Sequence, residues 1–385
     1  CEAMQIVYAN QSLPESWTKS IFLAGPTPRS EDTPSWRPEA LRILEESGYD
    51  GVVFIPESAN KEWLRDYTAQ VEWEERCLHL ADCILFWIPR DMKTMPALTT
   101  NTEWGVWQDS GKVVFGAPPE AEKVTYQRYY AKKLDVSISD TLRDTVKAAM
   151  EMTGAGALRV GGEKEIPLYI WKTLHFQSWH QAQRRAGNRL DGARVQWTFR
   201  VGPQRKFVFF YALHVNVHIA NENRNKTNEV VIARPDIATI VMYRRGAALD
   251  DSDVVLIREF RSPAATGDGF VWEVPGGSSF KPKGDPLGVV AEECREETGL
   301  KLDAARMRRH ESRQMVATLS AHKAHLFSVE ITEEELNLLR AERGVAHGVV
   351  EDTERTYVEV MKLGEIRKKS DVDWSMLGMI LSVLA

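Results

Sequence analysis

Glu293, Glu296 and Glu297 stand at i, i+3 and i+4 in the stretch AEECREETGL. That spacing puts three carboxylates on one face of a helix. Like charges so placed repel, and a cation is a physical reason to keep them together. Hard cations such as Mg²⁺ or Mn²⁺ take oxygen ligands and commonly bridge to phosphate. The competing reading is a solvated acidic face, and spacing alone leaves the two level. Nearer the start of the chain, Arg29 and Arg90 each follow a short apolar run. A guanidinium there suits a phosphate or a carboxylate, or else a surface ion pair. Trp87, Trp104 and Trp107 offer faces for stacking on a base, although tryptophan is often core.

The elements that must hold these residues fall into two rhythms. In the first half, SIFLAG (20–25), GVVFIP (51–56), CILFWIP (83–89) and KVVFGAP (112–118) read as buried strands. Helical stretches at 36–48, 66–82 and 101–111 alternate with them, the second with Tyr67, Val71, Cys77, Leu78 and Leu80 turned inward. This alternation predicts an α/β unit with a parallel sheet covered on both faces, its ligands at the carboxyl ends of the strands. The loops AGPTPRS, PES, PRDMKTMPALTTNTE and APPEA all leave from those ends. Two more helical stretches follow, at 124–133 and 141–152. The glycine-rich run 153–167 marks a boundary, giving expected domains of 1–155 and 156–385. Beyond it β-rich runs dominate, interrupted by a helix near 286–298 and closed by another at 374–384. That half reads as α+β with a mixed sheet.

The chain has 385 residues, 43% hydrophobic and 27% charged, ordinary values for two or three globular domains. No apolar run is long enough to span a membrane and no secretion leader is evident, so a cytoplasmic location without membrane contact is expected. Cys1, Cys77, Cys83 and Cys294 lack the spacing of a zinc or disulfide framework. The net charge of −6 argues against a general nucleic-acid binder. The one basic stretch, Arg184, Arg185, Arg189, Arg194, Arg200 and Arg205, is interleaved with Trp171, Trp179 and Trp197. It reads either as an RNA contact or, in better accord with the acidic whole, as a solvated face over core aromatics.

The run EVPGG…AEECREETGL resembles the Nudix hydrolase family, with VVLIREFRSP ahead of it most like the ADP-ribose pyrophosphatase branch. The resemblance implies a metal site of Glu293, Glu296, Glu297 and the Gly277 carbonyl, with Arg261 and Glu273 helping to hold substrate. It implies Mg²⁺ or Mn²⁺ as cofactor, water attack on a phosphoanhydride, and a homodimer formed through early strands such as KFVFFYALHVNVHIA. Two positions depart from the pattern. Glu292 stands where the family has an arginine, and Gly284 or Asp285 falls near its first glutamate.

In the first half, IFLAGPTPRS, ADCILFWIPR and TTNTEWG together resemble the nucleoside 2-deoxyribosyltransferase family over roughly 18–150. The resemblance implies that Glu103 attacks the anomeric carbon of a sugar. The alternative is that Glu103 merely complements its helix dipole. Phe22 stands where that family has a tyrosine and Ala97 where it has an aspartate, with Asn101 a possible substitute. Gly25, Arg29 and Arg90 complete the substrate-binding set, together with Asp82, which either touches the base or, in the favoured reading, ends or caps local structure near the site. The implied fold is a flavodoxin- or Rossmann-like doubly wound sheet followed by an α+β Nudix fold. The expected function is bifunctional: Nudix cleavage of a nucleoside diphosphate derivative or triphosphate, with N-glycosidic cleavage or transfer on a nucleoside or nucleotide. The alternative is a sensor, in which a weakly active Nudix half regulates the front half.

Overall fold

The computed structural model describes residues 3–30, 32–60, 67–278, 285–349 and 353–385. Cys1 and Gly284 lie outside these residues. The chain divides into two compact units, Cys1–Val231 and Ile232–Ala385.

In the first unit, β1 (Gln5–Tyr8), β3 (Ser20–Ala24), β4 (Val52–Ile55), β5 (Cys83–Trp87), β6 (Val113–Gly116) and β7 (Ile138–Ser139) form a parallel sheet in the order β1-β4-β3-β5-β6-β7. Alternation along each strand sorts the side chains to two faces. Phe22, Phe54, Phe86 and Phe115 pack on one side with Trp73 and Cys77 of α2 (Tyr67–Leu80), Trp104 of α3 (Leu98–Trp107) and Ala131 of α4 (Thr125–Lys133). Ile21, Val53, Leu85 and Val114 pack on the other with Ala40, Ile43 and Leu44 of α1 (Arg37–Glu46) and Val146 and Ala149 of α5 (Leu142–Thr153). Both faces are therefore apolar, and the central strands β3 to β6 are wholly buried, mostly apolar runs. One detail of α2 differs from expectation. Its buried stripe is Trp73, Cys77 and Leu80, at i, i+4 and i+7, which leaves Tyr67 and Val71 exposed.

The first unit extends past the expected boundary at 155. β2 (Ser16–Trp17) pairs with β8 (Arg159–Val160). Arg159 is fully buried and holds Asp82 through two hydrogen bonds of 2.7 and 2.6 Å. After α6 (Leu168–Trp171) and α7 (Leu174–Arg185), the long hairpin of β9 (Arg189–Val201) and β10 (Phe207–Ile219) is joined by β11 (Arg224–Ala233). The Tyr169 hydroxyl donates to the Ser110 carbonyl at 2.8 Å, and Arg200 of the hairpin pairs with Asp109. These buried and charged contacts attach residues 156–231 to the first unit rather than the second.

The second unit is built on a mixed sheet. Its path runs β16 (Arg308–Arg309), β18 (Lys323–Glu330), β12 (Ile237–Arg244), β13 (Asp253–Phe260), β20 (Thr356–Lys362) and β19 (Ala346–His347). Off this path, β14 (Phe270–Glu273) pairs with β13, β15 (Gly276–Ser278) with β12 and β17 (Arg313–Gln314) with β18. β12 and β18 are parallel, whereas β13 runs antiparallel to β12, β14 and β20. Helix α8 (Pro286–Thr298) covers one face with α9 (Glu333–Ala341), through Val290, Cys294, Leu336 and Leu339. α10 (Leu363–Ile366) and α11 (Trp374–Leu384) cover the other. Among the described residues, no helix is long and apolar enough to cross a membrane. Cys77, Cys83 and Cys294 are free and buried.

Candidate active sites

At the carboxyl end of β3 the chain turns at Gly25, with φ of +152°. A Cβ there would meet the Trp87 carbonyl oxygen at 2.1 Å, so only glycine lets the loop lie on β5. Arg37, 1% exposed, pins this turn from the first position of α1. Its Nε donates to the Leu23 carbonyl at 3.1 Å, its Nη2 to the Gly25 carbonyl at 2.8 Å, and its Nη1 to Thr27 Oγ1 and the Glu57 carboxylate. One guanidinium thus meets carbonyls that the ends of the strand ladder leave open. Arg37 and Glu57 were not foreseen from the sequence. The available signal was a charged residue on the buried stripe Arg37, Ala40, Leu44.

Glu103 lies in α3 and is half-buried. Its carboxyl is pushed up to about 8, chiefly by burial and then by the like charge of Glu74, with Arg37 opposing. Glu74 is itself raised by burial, while a 2.8 Å hydrogen bond from Gln70 and the charge of Arg37 counter it. Two carboxyls therefore share the field of one buried arginine near the carboxyl ends of the strands. Such a pairing in a poorly solvated site tunes a carboxyl for acid, base or nucleophilic work. Ala97, just before α3, is held at φ of +56°, a left-handed conformation that costs a non-glycine residue about 1 kcal/mol. Phe22 is wholly buried in the core.

Of the other expected residues of this half, Arg90, Asn101 and Asp82 take partners elsewhere. Arg29 is exposed, and its backbone N–H donates to the Thr94 carbonyl at 3.1 Å. Arg90 is 5% exposed and donates to the Lys123 carbonyl at 2.7 Å and to Asn101 Oδ1. Asn101 lies about 160° around the helix axis from Glu103, so Arg90 and Asn101 are grouped on the opposite side of α3. Asp82 immediately precedes β5, at the amino end of the sheet. It accepts from Ser20 and Arg159 there, in keeping with the reading of Asp82 as a residue that ties local structure. Trp87 and Trp104 are core residues, 6% and 4% exposed.

In the second unit, α8 begins at Asp285, whose side chain caps the Leu287 N–H, so this residue serves the helix terminus. Glu297, 1% exposed, accepts the Gly276 N–H at 2.9 Å, while its Oε1 is unpaired among the described residues. Carboxylate oxygens of Glu297, Glu259 and Glu354 lie within 4.8 Å of one another. Glu293 and Glu259 are both pushed up to about 7, first by burial; neighbouring carboxylates add to it, and Arg261 opposes at Glu259. Gly277 fits closely here, since a Cβ on it would lie 2.1 Å from Glu293 Oε1. Arg261 joins the cluster from the side, with Glu259 at 2.8 Å and Glu273 at 2.9 Å.

An all-carboxylate donor set suits a hard divalent cation, and the orphaned Glu297 oxygen fits a ligand atom. The expected metal set is thereby altered. Glu259 and Glu354 come from other elements and were not anticipated, because only the sheet brings them to α8. Glu296 instead turns to Arg295 at 3.5 Å and stands outside the triad. Glu292 is exposed, so its charge is solvated.

Residues 18–121 match the family model described as nucleoside 2-deoxyribosyltransferase like. The match runs from just before β3 to just after β6 and includes Arg37, Glu57, Glu74 and Glu103. No curated protein matches the chain.

Proposed function

We propose that the first unit breaks the N-glycosidic bond of a nucleoside or nucleotide, with Glu103 as the attacking carboxylate. The observation that carries this reading is the position of Glu103: inside the matched segment, on the helix that follows β5, and within the electrostatic influence of Glu74 and buried Arg37. A carboxylate oxygen bonds to the anomeric carbon as the C–N bond breaks, and the base departs with the bonding pair and takes up a proton. Water or a second base then displaces the glycosyl ester. We further propose that the second unit is a Nudix-type hydrolase acting on a nucleoside diphosphate derivative or triphosphate. Glu259, Glu297 and Glu354 would hold Mg²⁺ or Mn²⁺, with Glu293 beside them. The cation, when bound, offsets charge on the phosphates. Arg261 would orient an anionic substrate. The hairpin aromatics Trp197, Phe199 and Phe207 are 55%, 47% and 53% exposed, a surface suited to a homodimer.

The solvated Glu292 favours a second reading, in which the acid cluster binds a nucleotide with little turnover. One experiment separates these readings. The full chain with Mg²⁺ is given ADP-ribose, NAD, nucleoside triphosphates and monophosphates, and products are resolved by chromatography. Free base lost only in Glu103→Gln, and monophosphate lost only in Glu297→Gln, is the result expected of two working sites. Base release that survives Glu103→Gln would remove the first proposal. Absent phosphoanhydride cleavage with retained nucleotide binding would leave the sensor.

A further inference from the structure

One outer edge of the second unit's sheet is open. β16 and β17 both pair with β18, and among the described residues no strand meets their other side. The His310 N–H between them donates to the Leu326 carbonyl at 2.8 Å, so residues 308–314 run along β18 as one edge strand. Such an edge presents N–H and C=O groups to any extended chain that comes alongside. A groove of about 550 Å³ lies between this strand and α11. Met315, Leu326, Trp374 and Met379 give it an apolar lining. Trp374 is 88% exposed, and Val316 and Leu319, in the loop after β17, are 46% and 54% exposed. A tryptophan left in water beside adaptable methionines is the composition of a surface that a partner covers.

Charge narrows that partner. The chain carries a net charge of −6, yet Arg308, Arg309 and Arg313 are exposed here and none forms an ion pair among the described residues. Glu311 is the one acid in the same stretch. Arginines on two copies of this edge would repel, so the strand discourages a second copy of itself and favours an acidic chain. A single-stranded nucleic acid would use the arginines and the tryptophan but leave the backbone edge unmet. We propose that this face docks an extended acidic peptide of a partner protein. The peptide adds a strand beside residues 308–314, sets carboxylates against Arg308, Arg309 and Arg313, and lays apolar side chains in the groove beside Trp374. Alternate residues of a strand point to opposite faces, so a peptide that alternates acidic and apolar residues meets both demands. The inference stands on this edge alone and does not require the second unit to be a hydrolase.

The test is fluorescence anisotropy of the full chain with a labelled peptide, Asp-Val-Glu-Ile-Asp-Val-Glu, and its basic counterpart, Lys-Val-Lys-Ile-Lys-Val-Lys. Wild type is compared with Trp374→Ala, Arg313→Glu and Gly378→Leu, and circular dichroism confirms that each is folded. Trp374 and Arg313 are exposed, and a Cβ on Gly378, which lines the groove, meets nothing within 4 Å, so all three changes spare the core. The acidic peptide is expected to bind saturably and the basic one not at all. Each variant is expected to weaken binding by about tenfold. Methylating the backbone nitrogens along one edge of the acidic peptide is expected to abolish binding, because that edge can no longer join the sheet. Absence of saturable binding, equal binding of the two peptides, or binding that Trp374→Ala and Gly378→Leu both keep would overturn the proposal. Displacement of the acidic peptide by single-stranded RNA at about 150 mM salt would also overturn it and make the face a nucleic-acid surface.

Discussion

At the scale of single residues, half-buried Glu103 and buried Asp82 are carboxyls of the first unit whose surroundings give them different work. Burial, then the like charge of Glu74, outweigh the opposing Arg37, so Glu103 holds its proton up to about 8. A nucleophile must be ionised, and the ionised fraction grows as pH rises. The expected kcat/KM for base release therefore climbs roughly tenfold per pH unit below about 8 and levels above it. Glu74→Gln removes the like charge and should move that limb to lower pH. A profile that is flat from pH 6 to 9 would exclude Glu103 as the titrating group. Asp82, by contrast, is gripped by Arg159 at the amino end of the sheet. Asp82→Ala should cost about 3–5 kcal/mol in denaturant unfolding, because it strands a buried guanidinium, while kcat/KM of the folded protein stays unchanged.

At the scale of elements, α8 and the strands beside it form a nest of carboxyls. The raised pKa values of Glu259 and Glu293 mean that the folded unit holds protons more tightly than the unfolded chain. That contribution is complete below the ordinary carboxylate range near 4.5 and is lost as pH rises through about 7. A divalent cation replaces those protons, so Mg²⁺ is expected to raise the thermal midpoint at pH 8 far more than at pH 5. At 100 times its dissociation constant the gain is about 2.7 kcal/mol. Glu297→Gln should abolish the Mg²⁺ response. Gly277→Ala should weaken it while preserving the fold, because the new Cβ displaces only the Glu293 carboxylate. An Mg²⁺ response equal in all three proteins would place the cation elsewhere.

At the scale of the whole molecule, the excess of acid is matched by how the arginines are used. Arg189 pairs with Asp191, Arg194 lies 3.9 Å from Glu75, and Arg200 and Arg205 share Asp109. These guanidiniums are partly neutralised by the protein's own carboxylates, which leaves a weak field for a polyanion. Gel-shift measurements with single-stranded RNA are expected to show no retention at about 150 mM salt. Tight, steeply salt-dependent retention would instead make the basic stretch a nucleic-acid surface.

The alternating apolar strands and helices of the first half, the mixed β-rich second half and the helix that carries Glu293 and Glu297 were all legible in the sequence. Each depends on local periodicity, and burial on two faces or one writes itself into the spacing of apolar residues. Gly25 was legible too, since a glycine after a buried strand marks a turn. What only the tertiary structure decided was which distant residues meet. Arg37 reaches Glu57 and the end of β3, Glu259 and Glu354 complete the cluster at Glu297, and Arg159 draws residues 156–231 into the first unit. The same contacts tie Asp82 to Arg159 at the amino end of the sheet, leave Glu296 beside Arg295 and put Arg90 on the far side of α3. No periodicity encodes these outcomes, because they depend on strand order and helix rotation, which follow from minimising buried unpaired polarity across the whole fold.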